Sequence, residues 1–473
     1  MHGRPESTFP PHPCGLSFRA SPSPPRPATG GRGLCGTAGA GDSFPGTGLS
    51  FLTGMAGTMR AVVLPGKGFE SITVRDLPIS EPNDDQLLCR VDACTVCPSI
   101  LKLISQGSEH AFLDGWDMAR WPVILGDEGA VTVVKAGKNV AWRFPEGEKF
   151  AIQPAVDHPP VNFRDRYRHP DRIRKVAVGY TMGGTFAQYL LVLEEVIEAG
   201  CVVELPSQAL GHYEVSLSEP LSCVVSSQDH HVHMIYDKGT GERVPKKGLL
   251  EGGVAVIFGA GVMARFHMEL ALTYKPRAVF VFARSEKRAG WVKRNVMPRA
   301  RQQGVAFYFD ACKLEDIPER IFQLTGQSHA DDIIDTTASP EVLRFCTDRL
   351  TGKGTVVNTF GGLNIGEHIV GVDLRKVHYD ESTITGSSGG NPFDTKRTLE
   401  LITRGDFDVG TQVKVVGDLT HAAGFLERVR DKAIDGKALI YPHASLDSPL
   451  ELEEPWTRER EREHLATHGG GSG

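Results

Sequence analysis

The chain has 473 residues, 40% of them hydrophobic, which is enough for two ordinary domains with cores of their own. Its formal net charge of −6 comes from 52 basic and 58 acidic residues interspersed along the chain, so the basic face of a nucleic-acid binder is missing. No apolar run reaches the length of a bilayer span, and the expectation is a soluble, cytoplasmic protein with no membrane partner.

Nine scattered cysteines, an odd number, argue against a disulfide framework and for a reducing compartment. Residues 1–58 are rich in Pro, Gly and Ser (Pro22-Ser23-Pro24-Pro25, Gly36-Thr37-Ala38-Gly39-Ala40-Gly41) and nearly free of acids. Such a segment buries too little apolar surface to offset chain entropy. It reads either as a transit peptide, which would make the location organellar, or as a start assigned ahead of Met55 or Met59.

From Met59 the pattern is β-rich. Strands are expected at Arg60–Leu64, Ser71–Val74, Gln86–Val91, Val131–Val134 and Phe186–Val192, with turns between them. A second regime alternates strand and helix: Val254–Phe258, Ala278–Phe282, Ala306–Phe309, Asp332–Asp335 and Thr355–Thr359 as strands, as in a parallel sheet covered by helices. Asp394–Thr403 reads as a helix, after which the chain is expected to return to the first unit. The run from residue 446 to 473, charged and then glycine-rich, reads as a flexible tail.

Gly259-Ala260-Gly261-Val262-Met263-Ala264 follows the first parallel strand and opens an apolar helical run. Gly259 permits a tight turn, Gly261 lets the backbone approach a pyrophosphate, and Ala264 lets helix pack closely on strand. The helix N-terminus then offers N–H donors to the phosphates. The next strand ends in Ala283-Arg284-Ser285, with Arg288 just beyond. An NAD site places a carboxylate there. A guanidinium instead suits a 2′-phosphate, so NADP(H) is favoured over NAD(H). The alternative for Arg284 is a solvated helix start.

Three further fragments precede this turn: Cys94-Thr95-Val96-Cys97-Pro98-Ser99, Leu125-Gly126-Asp127-Glu128-Gly129 and Ser218-Glu219-Pro220-Leu221-Ser222. Their order resembles the medium-chain, zinc-dependent alcohol and polyol dehydrogenases over about residues 59 to 445. Gly183-Gly184-Thr185-Phe186-Ala187-Gln188-Tyr189 and Gly352-Lys353-Gly354-Thr355-Val356-Val357 add to the likeness. The stretch His378 to Gly390 looks most like the sorbitol and L-sorbose-1-phosphate reductase branch. The resemblance implies an α/β architecture: a GroES-like β-rich catalytic domain (59–213), a Rossmann doubly wound parallel-sheet domain (214–390), and a return to the catalytic domain (391–445). It implies one catalytic zinc held by Cys97, Asp127, Glu128 and Glu219, with Cys97, Glu128 and Ser99 as catalytic groups and Ser99 relaying the substrate proton. Asp127 departs from the family's histidine, although carboxylates also ligate zinc. The family's structural zinc is excluded, since no cysteine lies between Cys97 and Cys201.

The implied activity is hydride transfer between NADP(H) and a polyol, a ketose (phosphorylated or not) or a related alcohol or ketone, in a homo-dimer or tetramer. The alternatives are a zinc-free quinone or enone reductase on the same fold, and a nucleotide-binding protein without turnover. A basic loop from Arg164 to Lys175 is a candidate for holding a substrate phosphate. Asp229-His230-His231-Val232-His233 reads as part of a partly exposed helix rather than as a metal site.

Overall fold

The structure, a computed structural model, describes residues 57–157, 163–364 and 366–469. The expected N-terminal extension, with Cys14 and Cys35, lies outside these residues except at its last positions, as do the last four residues of the chain. No described helix is long and apolar enough to cross a membrane.

The apolar runs of the second regime form six parallel strands: β1 (Val254–Phe258), β2 (Ala278–Phe282), β3 (Ala306–Asp310), β4 (Ala330–Asp335), β5 (Thr351–Thr359) and β6 (Thr383–Thr385). Their spatial order is β3-β2-β1-β4-β5-β6. Strand order reverses between β1 and β4, which opens a crevice beyond their C-terminal ends. Val254, Val256 and Phe258 pack into the core on one face of the sheet, and Ala255 and Ile257 into the core on the other. Burial on both faces is why β1 reads as an unbroken apolar run instead of an alternating one.

The β-rich unit is built around the strand Leu87–Thr95. It pairs antiparallel with Glu128–Ala136, Tyr189–Val192 and Lys437–Ile440. Lys437–Ile440 arrives from the far end of the chain and brings Val413–Gly417 beside it as a parallel neighbour. Two helices link the halves: α1 (Ser218–Asp229) and, after α2 (Val262–Thr273), α3 (Pro392–Thr403). Asn391 and Asp394 close a capping box at the start of α3, two residues before the expected helix onset.

Three local expectations change. Ser71 ends a single 3₁₀ turn, and its strand begins at Thr73. Asp229–His233 is not a partly exposed helix: α1 stops at Asp229, and an extended hairpin of Val232–Tyr236 with Arg243–Lys247 follows. The C-terminal run is not a flexible tail up to residue 469. Leu450–Glu451 pairs with Val413–Gly417, and α4 (Arg458–His468) is capped by the Thr457 hydroxyl. Trp456 is 2% exposed. The Glu461 carboxylate accepts the backbone N–H groups of His212 and Tyr213 (2.9 Å each) and the Tyr441 hydroxyl (2.7 Å). A charge run looks solvated by composition, but one acid in it satisfies the free N–H groups that open the short helix His212–Ser216.

Candidate active site

The strand Leu87–Thr95 stops at Thr95 because Pro98 follows, and the turn beyond it carries Cys97 and Ser99 into the helix Ile100–Gln106. Thr95 sits opposite Glu128 in the antiparallel register, so Asp127 and Glu128 face that turn. The first turn of α1 supplies Glu219. Residues far apart in sequence are thereby gathered on one side of the crevice.

Ser99 is the hub. Its hydroxyl lies 3.0 Å from Cys97 Sγ, donates to Asp127 Oδ2 at 3.1 Å, and lies 3.1 Å from the Tyr180 hydroxyl. With its one proton given to Asp127, Ser99 accepts from Tyr180. Tyr180 is wedged between His110 and Phe112, with ring centroids 5.2 Å away in each case. Sequence reasoning passed over Tyr180, because an aromatic in Val178-Gly179-Tyr180-Thr181 has no local feature separating it from core.

Glu128 is fully buried, and its two oxygens take the Lys437 ammonium at 2.7 and 2.6 Å, with a further bond from the Thr95 hydroxyl. Lys437 also donates to the Val96 carbonyl (3.0 Å). Burial acts to lower the lysine pKa, but Glu128, Cys97 and Glu219 outweigh it and raise it. Lys437 is the second residue missed: a lysine opening the apolar strand Lys437-Ala438-Leu439-Ile440 stands out locally, but nothing near it in sequence names its partner.

The remaining acids have no cation of their own. Burial, then repulsion from Glu128, pushes the Asp127 carboxyl up to about 7, against the Ser99 hydrogen bond and the pull of Lys437. Burial and the same neighbours raise Glu219 well above its ordinary value. Burial, Asp127 and Glu128 do the same to the Cys97 thiol. Asp127 Oδ1 is buried without a hydrogen-bond partner. A thiol and two carboxylates, one of them with an orphaned oxygen, form a donor set that fits a divalent cation, since Cys sulfur and Asp or Glu oxygen both ligate zinc. Cys97, Asp127 and Glu219 would hold it. Glu128, with both oxygens engaged by Lys437, stands behind them rather than on the ion. Among the described residues the group with three donor atoms already within 4.8 Å of one another is His231, His233 and Asp332, so the Cys97 set needs side-chain rotation to converge.

The nucleotide crevice lies at the end of β1. Gly259 adopts φ +107°, and a Cβ there would meet Thr336 Oγ1 at 2.4 Å. Gly261 precedes α2 with no side-chain cap, leaving the first N–H groups of the helix for a ligand. Ala264 is buried against the sheet. Beyond β2, Ala283 is half-buried and Arg284 and Ser285 are exposed. Arg288 lies over Gly261 but is held by Asp435 at 2.8 Å, which also takes Arg265 at 2.7 Å.

Three arginines of the basic loop have partners within the protein. Arg164 pairs with Asp171, and Arg168 with Glu109 at 2.7 Å. Arg166 is boxed by Phe163, Trp121 and Trp116 at 4.2, 4.7 and 5.1 Å. These three arginines are therefore not a ready phosphate clamp, because each guanidinium already has an acid or an aromatic box.

Two family models match in the same order as the two units: an alcohol dehydrogenase GroES-like domain over residues 83–206 and a zinc-binding dehydrogenase over 251–404. The mannitol-1-phosphate 5-dehydrogenase of Aliivibrio fischeri is 29% identical over 404 residues, 84% of this chain and 89% of that protein. The L-sorbose 1-phosphate reductase of Klebsiella pneumoniae is 24% identical over 81% of this chain and 88% of its own. In fold, a zinc-binding dehydrogenase of Sinorhizobium meliloti bound to NADP covers 82% of this chain and all of its own, with a TM-score of 0.63 and 23% identity. The GroES-like and Rossmann halves expected from the motifs are both present, and the chain belongs to the medium-chain, zinc-dependent alcohol and polyol dehydrogenases.

Proposed function

We propose that the protein transfers hydride between NADP(H) and a polyol or its ketose, with phosphorylated forms the preferred class, at one catalytic zinc on Cys97, Asp127 and Glu219. The observation that carries this reading is the Ser99 hub, which joins the thiol, the carboxylate and Tyr180 in one hydrogen-bonded cluster. A zinc ion bound there would polarise the substrate oxygen. Ser99 holds the proton that the alcohol oxygen gains or gives up, and Tyr180 keeps the serine hydroxyl oriented. Lys437 pins the Glu128 carboxylate behind the ligands. Gly259, Gly261 and the start of α2 cradle the pyrophosphate, while Ala283, Arg284 and Ser285 surround the ribose phosphate. Arg288 joins them on release from Asp435.

The choice of phosphorylated polyols is supported by the names of the two relatives above, and the choice of NADP(H) by an exposed guanidinium and no carboxylate in Ala283-Arg284-Ser285. A screen of NADPH and NADH oxidation against ketoses and ketose phosphates tests both. The expected result is turnover with NADPH and a ketose phosphate above that with the free ketose. Turnover with neither class of ketose, or a clear preference for NADH, would sink the reading.

A further inference from the structure

Outside the crevice, the structure gathers a second set of ligand-type side chains. α1 ends at Asp229, the His231 N–H bonds the Gln228 carbonyl (3.1 Å), and the chain is extended from Val232. Two residues apart in extended chain, His231 and His233 project to the same side, inward. They are 0% and 5% exposed, and β4 brings the carboxylate of Asp332, 1% exposed, between them.

His231 Nδ1 lies 2.6 Å and His233 Nε2 2.8 Å from one oxygen, Asp332 Oδ1. Asp332 Oδ2 is held by the Leu250 N–H at 2.7 Å, which aims Oδ1 at the two rings. The His233 ring also hydrogen-bonds the backbone of Gly354, leaving Nε2 for the cluster. That backbone bond orients His233 as outer-shell partners orient metal-binding imidazoles, while His231 Nε2 is buried without a hydrogen-bond partner. Three lone-pair atoms converging on one point repel unless protons or a cation lie between them. Two imidazoles and a carboxylate suit zinc, whose Zn–N and Zn–O distances of about 2.0–2.2 Å require the three atoms to spread by only about half an ångström.

Asp332 pairs with Ala255 and Val356 in the N-terminal half of the sheet, whereas the glycine-rich turn leaves β1 at its C-terminal end. The cluster is therefore on the far side of the sheet's strand ends from the cofactor crevice, and it contains no sulfur. We propose that His231, His233 and Asp332 form a structural site for a divalent transition metal, zinc by donor chemistry, clamping the hairpin Val232–Tyr236/Arg243–Lys247 to β4. This inference is independent of the substrate and cofactor readings above.

The test uses full-length protein, stripped by chelator, dialysed against Zn2+ and then against metal-free buffer. The Cys97→Ala/Glu219→Ala variant is expected to retain one zinc per chain and to melt several degrees higher with zinc than without it. Adding His233→Gln should remove both the zinc and the thermal shift. Should that triple variant fail to fold, Co2+ loading of the double variant decides: ligand-field bands without a thiolate charge-transfer band support the site. A double variant that binds neither Zn2+ nor Co2+, or whose melting is unmoved by zinc, overturns the proposal. Metal bound only when Cys97 and Glu219 are intact does the same, while leaving the catalytic centre standing.

Discussion

The Lys437–Glu128 pair is closed off from solvent, and each charge depends on the other. The two oxygens of Glu128 and the carbonyl of Val96 account for the ammonium, so a vacancy at either position leaves a buried charge exposed to a low-dielectric interior. Lys437→Met should cost about 3–5 kcal/mol in urea unfolding, the usual penalty for breaking a buried pair. Adding Glu128→Gln should restore most of that loss, and a double-mutant cycle that shows simple additivity would contradict the pairing. Ser99 makes a different prediction. Its hydroxyl bridges three groups without being core, so Ser99→Ala should leave stability within about 1 kcal/mol. It should lower kcat by roughly 10²–10⁴, the range for a lost proton-transfer group. Ser99→Thr, which keeps the hydroxyl, should recover most of the activity.

Among elements, α2 buries a base, an imidazole and an acid along one helix. Arg265, His267 and Glu269 are all buried along it, and each meets a partner from another element: Asp435, Gln228 and Arg299. Burial pushes the Glu269 carboxyl up to about 7, because Arg299 and the Asp408 N–H only partly offset the loss of water. In the unfolded chain the same carboxyl releases its proton near its ordinary value, so between the two the unfolded state binds fewer protons. Stability should therefore fall as pH rises from about 4.5 to about 7 and level off above, by on the order of 3 kcal/mol from this group. Glu269→Gln should flatten that slope in urea melts taken across the range. At the end of β2 the exposed guanidinium of Arg284 is the group that the proposed NADP(H) reading makes discriminating. On that reading Arg284→Asp should shift the ratio of kcat/KM for NADPH over NADH by roughly 10²-fold toward NADH, since a carboxylate there would repel a 2′-phosphate.

How much of this was legible in the sequence follows from the range of each interaction. β1, the glycine-rich turn and α2 were readable because they rest on contiguous patterns: an unbroken apolar run, φ +107° at Gly259, and a small residue at Ala264. Cys97, Ser99, Asp127, Glu128 and Glu219 were readable as fragments only through their order, and the register of Thr95 with Glu128 is what joins them. Lys437 stands 309 residues from its partner, and no local pattern carries that distance. The same holds for Glu461, which caps a helix 248 residues earlier in the chain, and for His231 and His233, whose partner Asp332 lies 101 and 99 residues further on. In the arginine-rich loop composition could not show that Arg164, Arg166 and Arg168 meet Asp171, three aromatic rings and Glu109, because those partners are set by the fold.

At the scale of the whole molecule, the two halves meet where the chain returns. Asp435 takes Arg265 and Arg288 from the nucleotide half, and two residues later Lys437 secures Glu128 in the catalytic half. One short segment thus ties the glycine-rich crevice to the acid cluster around Glu128, so neither half completes the proposed site alone. The most direct test of that account is metal-dependent turnover. Full-length protein stripped by chelator is assayed for NADPH oxidation with a ketose phosphate, before and after Zn2+ is restored, beside Cys97→Ala treated identically. The account predicts that stripping abolishes turnover, that zinc restores it in the parent chain, and that Cys97→Ala stays inactive with zinc present. Equal turnover in the stripped chain, or restoration of Cys97→Ala by zinc to the parent's rate, would contradict it.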